Sequence, residues 1–235
     1  MKKTLSLLAL LAVAGMASTP AEAATHYVSA FGGVSWMQDM KLGDVYQSDN
    51  GNKSINYDLG SGVNILGALG CDYGNYRFEG EIGYQQNNLK SGTESLDGIV
   101  DVIGTHGSPP SPYAMKGDVS MLSLMANGYY DFDLGSKVEL YATTGVGVAQ
   151  ISFHDENDVI NPDPGYTGHE TALAWQVGAG LAAPIADHIK LDLRYRYFAT
   201  TDVTMTGSGA TYPGVTAYNT NLSSHSVLLG LRVDF

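Results

Sequence analysis

The chain has one cysteine, few basic residues and no long apolar run after its first 23 residues, and each of these shortages excludes a class of protein. Cys71 is the only cysteine among 235 residues, so no intramolecular disulfide holds the fold. Lysine and arginine number 12 against 24 acidic residues, and the net charge of −12 excludes a general nucleic-acid surface, which needs a basic footprint. After residue 23 no apolar run reaches 18 residues, so we expect no membrane-spanning helix.

The first 23 residues have the pattern of a secretory signal peptide. Two lysines precede an apolar stretch, Leu5–Met16, that is too short to cross a bilayer as a helix, and Ala21–Ala23 matches a small-x-small cleavage site. We therefore predict that residues 1–23 direct export, that cleavage follows Ala23, and that residues 24–235 form one domain. An uncleaved anchor helix is the alternative.

Glycine (29) and tyrosine (15) are abundant, and the clearest pattern is an alternation of two kinds of side chain. In Ile189–Tyr197, apolar or aromatic residues occupy every odd position and charged residues every even one. Successive side chains of a β-strand point to opposite faces, so this segment predicts a strand with one apolar and one ionic face. The apolar face lies inside in a soluble sheet, whereas it faces lipid in an outer-membrane barrel.

Eight segments share this alternation, and each is long enough for a tilted strand to cross the hydrocarbon of a bilayer. They are Thr25–Trp36, Gly62–Asp72, Tyr76–Gln86, Ser120–Phe132, Val138–Phe153, Thr171–Ala183, Ile189–Ala199 and Ser224–Phe235.

The connections between these segments alternate in length. The short ones are 73–75, 133–137 and 184–188, and the long ones are about 37–61, 87–119, 154–170 and 200–223. This alternation is typical of outer-membrane barrels, and a soluble sandwich has no reason to sort its loops in this way. We predict an all-β fold: an eight-stranded antiparallel up-and-down transmembrane β-barrel with short periplasmic turns and four long extracellular loops.

The face opposite the apolar one carries charged residues of both signs, mostly toward the short-turn ends of the strands. They are Arg77, Glu79, Glu81, Asp131, Glu139, Lys190, Asp192, Arg194, Arg196, Arg232 and Asp234. The interior of an eight-stranded barrel is just filled by side chains, and buried charges persist when they are paired. We expect this ionic network to plug the lumen; an ion path through a wider, wet lumen is the alternative.

Aromatic residues on the apolar face predict two belts, one at each membrane interface. The belts comprise Tyr76 and Tyr130 on the turn side, and Trp36, Tyr84, Trp175, Tyr195 and Tyr197 on the loop side. Aromatic residues in an ordinary sheet core would not separate into two levels.

Two short stretches resemble sites without meeting the requirements of one. Residues 154–158 bring oxygen ligands together but lack the spacing and the glycine of a calcium-binding loop. In Ser224–Ser226, alternation places His225 on the face opposite both serines, which argues against a Ser–His pair. The sequence has no nucleotide-binding or nucleophile-elbow fingerprint, so we predict neither catalysis nor a bound metal or cofactor.

Several strand segments together resemble a known family. The runs Val119–Phe132, Val138–Ala149, Leu191–Phe198 and Val227–Phe235 resemble the porin-family, opacity-type surface antigens of Gram-negative bacteria, which are similar in architecture to the OmpA and OmpX membrane domains. The resemblance implies an eight-stranded barrel with four surface loops. It also implies that Phe235 is the signal read by the outer-membrane assembly machinery.

The function expected from these features is structural and lies at the cell surface. The four long loops contain fourteen acidic residues and four lysines. We predict an integral outer-membrane protein, surrounded by lipid and lipopolysaccharide, that supports envelope integrity and adheres to host surface molecules through these acidic loops. The alternative for the loops is that they stay hydrated and bind nothing specific. A narrow porin-like channel for ions or small solutes is the second hypothesis. A soluble, lipocalin-like ligand carrier is the third, and it requires the apolar face to lie inside.

Overall fold

A computed structural model of the protein describes residues 24–42, 47–48, 51–97, 113–114, 117–135, 137–155, 167–205 and 218–235. The predicted signal peptide and its cleavage site at Ala23 lie outside the described residues, as does most of the stretch 154–158. None of the described residues belongs to a helix with the length and apolarity needed to cross a membrane.

Eight long strands form the body of the fold. They are β1 (Thr25–Met37), β2 (Gly51–Asp72), β3 (Tyr76–Asp97), β4 (Gly117–Phe132), β5 (Glu139–Asp155), β6 (Thr167–Ala186), β7 (Ile189–Thr200) and β8 (Ser223–Asp234). Short strands lie near the loop ends, at Met40–Leu42, Gln47–Ser48, Tyr113–Ala114, Val203–Met205 and Tyr218–Thr220. The eight predicted strands are therefore confirmed.

The strands close into a barrel. Each long strand pairs antiparallel with the next in sequence, from β1–β2 to β7–β8. The last strand returns to the first, because β8 pairs with β1 from Tyr27 opposite Asp234 to Met37 opposite Ser224. Closure leaves no free sheet edge between these strands, which is the condition for a sheet to span lipid.

The hairpin of β2 and β3 extends further than the sequence predicts. The stretches 51–61 and 87–97, assigned above to long loops, are strand and pair from Asn52 opposite Asp97 onward. Register shifts occur at Asp58/Leu59 and Leu59/Gly62. Tyr57 and Leu59 are buried at odd positions of this extension, whereas Asn64 and Leu66 are buried at even positions beyond the register shifts, so the alternation does not continue in one phase. Backbone ladder bonds form whatever the side chains are.

Two of the short turns depend on glycine in the left-handed region of backbone space. Gly74 has φ 91° between β2 and β3, and Gly135 has φ 62° after β4. The carboxylates of Asp72 and Asp133 accept the N–H of these glycines at 2.8 and 2.9 Å, which is the geometry of an Asx turn. Local turn chemistry therefore ends the strands at this rim.

The apolar face of the wall points outward. Leu229 is 54% exposed, Leu193 47% and Trp175 42%, whereas Arg194 is 2% and Glu79 0% exposed. The hypothesis of a lipocalin-like carrier is therefore wrong, because such a protein keeps its apolar face around an internal cavity.

Candidate functional site

Ion pairs fill the turn end of the lumen. Arg77 on β3 donates two hydrogen bonds to Asp131 on β4, from Nε to Oδ2 at 2.6 Å and from Nη2 to Oδ1 at 2.7 Å. Its guanidinium carbon also lies 4.5 Å from the centre of the Tyr129 ring and 4.9 Å from that of Tyr141. A planar guanidinium suits this combination of a two-pronged carboxylate and aromatic faces, so the pair is held in a single geometry.

A second ionic cluster at the same end joins β5, β7 and β8. Lys190 Nζ lies 2.5 Å from one oxygen of Glu139, and Arg232 donates to the other oxygen. Asp234 lies 3.7 Å from Lys190 Nζ and 3.9 Å from Arg232 Nε. Two carboxylates thus face two cations, and the Glu139 side chain remains 32% exposed at the mouth of the barrel.

Arg194 crosses the centre of the lumen from β7 to β3. Its Nη1 lies 3.1 Å from a carboxylate oxygen of Glu81 and 3.8 Å from one of Glu79. Its guanidinium carbon lies 4.0 Å from the centre of the Phe31 ring. Glu79 also accepts the Tyr129 hydroxyl at 2.6 Å, so both buried carboxylates have partners.

The Tyr141 hydroxyl connects this centre to Asp192. It donates to Asp192 Oδ1 at 2.5 Å and accepts from Arg194 Nε at 3.2 Å. The ring has space because β6 carries Gly180 beside it: a Cβ at that position would lie 2.3 Å from Tyr141 Oη. Only glycine allows the backbone to approach the ring this closely.

Arg196 lies at the upper boundary of the ionic region. Its Nη2 lies 3.9 Å from Glu81, and its guanidinium carbon lies 4.5 Å from the centre of the Phe198 ring. Its Nε has no hydrogen-bond partner among the described residues. All the charged residues singled out from the sequence thus face the lumen. They form two clusters at the turn end and one central group around Arg194.

A layer of amide and hydroxyl groups that was not predicted from the sequence lies above the ions. Asn64 donates to Gln85 at 3.3 Å and to Ser226 at 3.0 Å, and Gln85 donates to Asn87 at 2.8 Å. Asn87 in turn donates to the backbone carbonyl of Gly60 at 2.9 Å, next to the register shift in β2. Gln85 and Asn87 occupy odd-numbered positions of β3, as Glu79 and Glu81 do. Side-chain alternation therefore already indicates that they face the lumen.

The loop end of the lumen is apolar, and this too was not predicted from the sequence. One cluster of buried side chains fills it, comprising Met37, Tyr57, Leu59, Leu89, Val119, Met121, Met125, Ala149, Ile151, Phe153, Ala172, Ala174, Phe198, Val203 and Leu222. The lumen therefore contains ions, then amides, then an apolar cluster, in order from the turns to the loops.

The residues predicted for the aromatic belts lie on the outer wall. Tyr76 and Tyr130 contact each other edge to face at the turn end, with ring centres 5.3 Å apart. Trp175 and Tyr197 lie 5.4 Å apart toward the loop end. The other predicted belt residues, all exposed on this wall, are Trp36, Tyr84 and Tyr195.

The C-terminal strand shows the alternation predicted for it. Phe235 is exposed, its N–H donates to the carbonyl of His26 at 2.8 Å, and the two rings stack at 6.3 Å. Within Ser224–Ser226 both serines are buried, while the His225 ring lies on the outer wall beside Tyr195. The serines and the histidine therefore cannot act as a pair.

A closed wall with apolar residues outside and charges inside is the arrangement of outer-membrane proteins. A family model described as the outer membrane protein beta-barrel domain matches residues 5–235. The chain belongs to this family. It is accordingly an integral protein of the cell outer membrane, and we refer to it below as the outer-membrane barrel.

Named relatives support the same assignment. Outer membrane protein PagN of Salmonella typhimurium is 26% identical over 185 residues, which cover 75% of this chain and 73% of that protein. A putative adhesin of Rickettsia conorii is 25% identical over 205 residues, which cover 83% of this chain and 74% of that protein.

Two solved structures share the fold of the outer-membrane barrel. OprG of Pseudomonas aeruginosa matches with a TM-score of 0.52 and 15% identity, over 90% of this chain and 95% of that one. Neisserial surface protein A matches with a TM-score of 0.50 and 18% identity, over 91% of this chain and 100% of that one.

Proposed function

We propose that the outer-membrane barrel is a non-catalytic structural and surface protein. In this proposal its lumen is plugged and its acidic loops adhere to host surface molecules. The observation that supports it best is the filled interior, in which ion pairs, amides and apolar side chains succeed one another along the axis. A filled barrel is a rigid scaffold, and loops on a rigid scaffold commonly carry binding function.

The plugged lumen makes a direct prediction about ion conduction. We expect the refolded barrel in a planar bilayer to show no current steps above those of lipid alone. An ion would have to pass the buried Arg194–Glu81 pair and then the apolar cluster, where it would lose its hydration. Reproducible current steps that change in Arg194→Ala, but not in a variant of the exposed Lys90, would support the channel hypothesis instead.

The adhesion proposal rests on the acidic loops and on the relatives that are named adhesins. We expect the triple variant Glu156→Gln, Asp158→Asn and Asp163→Asn to reduce bacterial adherence to host cells, because it removes three carboxylates from the loop between β5 and β6. The changes lie outside the paired residues, which reach His154 opposite Thr167, so the barrel itself should assemble normally. Deletion of residues 206–217, a loop segment without an acidic residue, is the control for general loss of loop surface. If the triple variant adheres as well as the wild type, or if the control deletion lowers adherence equally, adhesion through the acidic residues is contradicted.

The envelope role is proposed for the barrel rather than for the loops. It is measured separately, as detergent sensitivity of a strain lacking the protein. Complementation with the triple loop variant should restore resistance without restoring adherence. Failure of the full chain to restore resistance would contradict the envelope role and leave the adhesion proposal unaffected.

The two aromatic belts are proposed to hold the barrel at its depth in the bilayer, since amphipathic rings favour the head-group level. Outer-membrane lipid and lipopolysaccharide are the expected neighbours of the loop-side belt.

Phe235 is proposed as the recognition signal for the assembly machinery. We expect Phe235→Ala to lower the amount of assembled barrel in cells while leaving spontaneous refolding into detergent unchanged, because this ring is 74% exposed and adds little to packing. His26→Ala removes the stacking partner but keeps the terminal ring, and it should assemble normally. An equal loss of assembly in both variants would contradict the signal role.

A further inference from the structure

The outer wall carries a polar network at the loop ends of β7, β8 and β1. Tyr195 Oη lies 2.6 Å from His225 Nδ1, and His225 Nε2 lies 3.3 Å from Gln38 Nε2. Gln38 Oε1 accepts the Ser223 hydroxyl at 2.8 Å. These groups come from β7, from β8 and from the residue that follows β1, and they lie on a wall whose other outward residues are mostly apolar.

The network lies directly above an apolar column and next to aromatic rings. Below His225 on β8, the outward residues Val227, Leu229, Leu231 and Val233 are exposed. The His225 ring lies 5.0 Å from the ring of Tyr197 and opposite Trp36 in the ladder.

The height of the network corresponds to the outer head-group level. The ten residues from Phe235 back to His225 rise about 34 Å along the strand at roughly 3.4 Å each. At a tilt of about 40°, this is a vertical span of about 26 Å, close to the apolar band of about 25 Å in such barrels. His225 therefore lies at the interface opposite that of Phe235.

The network has hydrogen-bond donors to spare. Three contacts join the side chains of Tyr195, His225, Gln38 and Ser223. However the hydrogens are placed, these side chains carry more N–H and O–H groups than the three contacts use. Protonation of His225 adds one more donor and a positive charge. The outward faces of the described strands β1, β7 and β8 carry no lysine or arginine between these two interfaces.

We propose that Tyr195, His225 and Gln38 form a binding site on the membrane-facing wall for the phosphate of an outer-leaflet lipid head group. The spare donors bind phosphate oxygens, the imidazolium supplies charge, and the apolar column below accommodates an acyl chain. Lipid is the occupant that fits, because the site opens onto the bilayer and continues into a lipid-facing surface.

The groups around His225 allow its protonation to be isolated. The titratable residues that face it are Tyr195 and Tyr197 on β7, while Trp36 of β1 and Gln38, which follows β1, lie on its other side. The nearest carboxylates along these strands, Asp39 and Asp202, follow the ends of β1 and β7 and are exposed.

The test uses the two tryptophans of the chain, Trp36 and Trp175, which both lie near the site. The full chain is refolded into vesicles of a phosphate-free galactolipid, digalactosyldiacylglycerol, that contain phosphatidylglycerol with brominated acyl chains, and quenching gives the binding constant of phosphatidylglycerol relative to the galactolipid. One cation near an anionic membrane surface corresponds to about a fivefold preference, so we expect this preference to be about fivefold greater at pH 5.5 than at pH 8.

Two variants and one control decide the outcome. His225→Gln should abolish the pH dependence, and Tyr195→Phe should lower the preference at pH 5.5 while retaining the ring. His169→Gln is the matched control, since His169 lies on the outer wall of β6 and bonds Ser152 at 2.9 Å, away from the site. Equal preference at both pH values in the wild type, or an unchanged pH dependence in His225→Gln, would overturn the proposal.

Discussion

Replacing Glu81 with leucine is expected to destabilise the outer-membrane barrel by about 3–5 kcal/mol, the cost of removing one partner of a buried charge pair. The carboxylate contacts Arg194 at 3.1 Å and accepts from Asn127 at 3.2 Å and Gln176 at 3.3 Å. Its loss leaves a buried guanidinium without its nearest anion. Urea unfolding in phospholipid vesicles, followed by tryptophan fluorescence, measures the change.

Two further variants test the cause of this loss. Glu139→Gln, at the open mouth where Asp234 still faces both cations, should cost much less. The triple variant Glu81→Leu, Arg194→Met and Glu79→Gln should recover much of the lost stability, because it removes the whole buried charge cluster, including the carboxylate of Glu79 that Arg194 also faces. If the triple variant is less stable than Glu81→Leu alone, the unpaired charge is not the cause.

Gly180→Ala is expected to have the second large effect, about 1–3 kcal/mol of destabilisation from overpacking. The added Cβ would lie 2.3 Å from Tyr141 Oη and 2.7 Å from the backbone carbonyl of Leu193. The ring can move only by giving up its bond to Asp192, and the carbonyl belongs to the β6–β7 ladder. The same unfolding experiment measures this loss.

Gly128→Ala is the matched control for Gly180→Ala. Gly128 lies on β4 with its Cβ direction toward the outside, and a Cβ there would meet nothing within 4 Å. This variant should unfold at the wild-type urea concentration or slightly above it. Equal destabilisation by both substitutions would mean that loss of glycine itself, rather than contact with Tyr141, causes the effect.

The strands and the face that meets lipid were predictable because side-chain alternation is a local property. Leu191 and Arg194 point in opposite directions whatever the rest of the chain does. The extension of β2 and β3 was not predictable in this way, because the register shifts between Asp58 and Gly62 change which positions of β2 face the lumen and so interrupt the alternation. The apolar cluster at the loop end was missed for the opposite reason: residues such as Val119 and Phe153 are apolar on a face that carries charges elsewhere.

By itself, the sequence determined that eight amphipathic strands alternate with short and long connections, and that charges of both signs share one face. The tertiary structure alone decided which charge meets which. Arg77 and Asp131 are 54 residues apart, and Arg194 and Glu81 are 113 apart. Their contacts depend on the register of each ladder and on barrel closure, because a shift of one residue would turn every side chain of a strand to the other face.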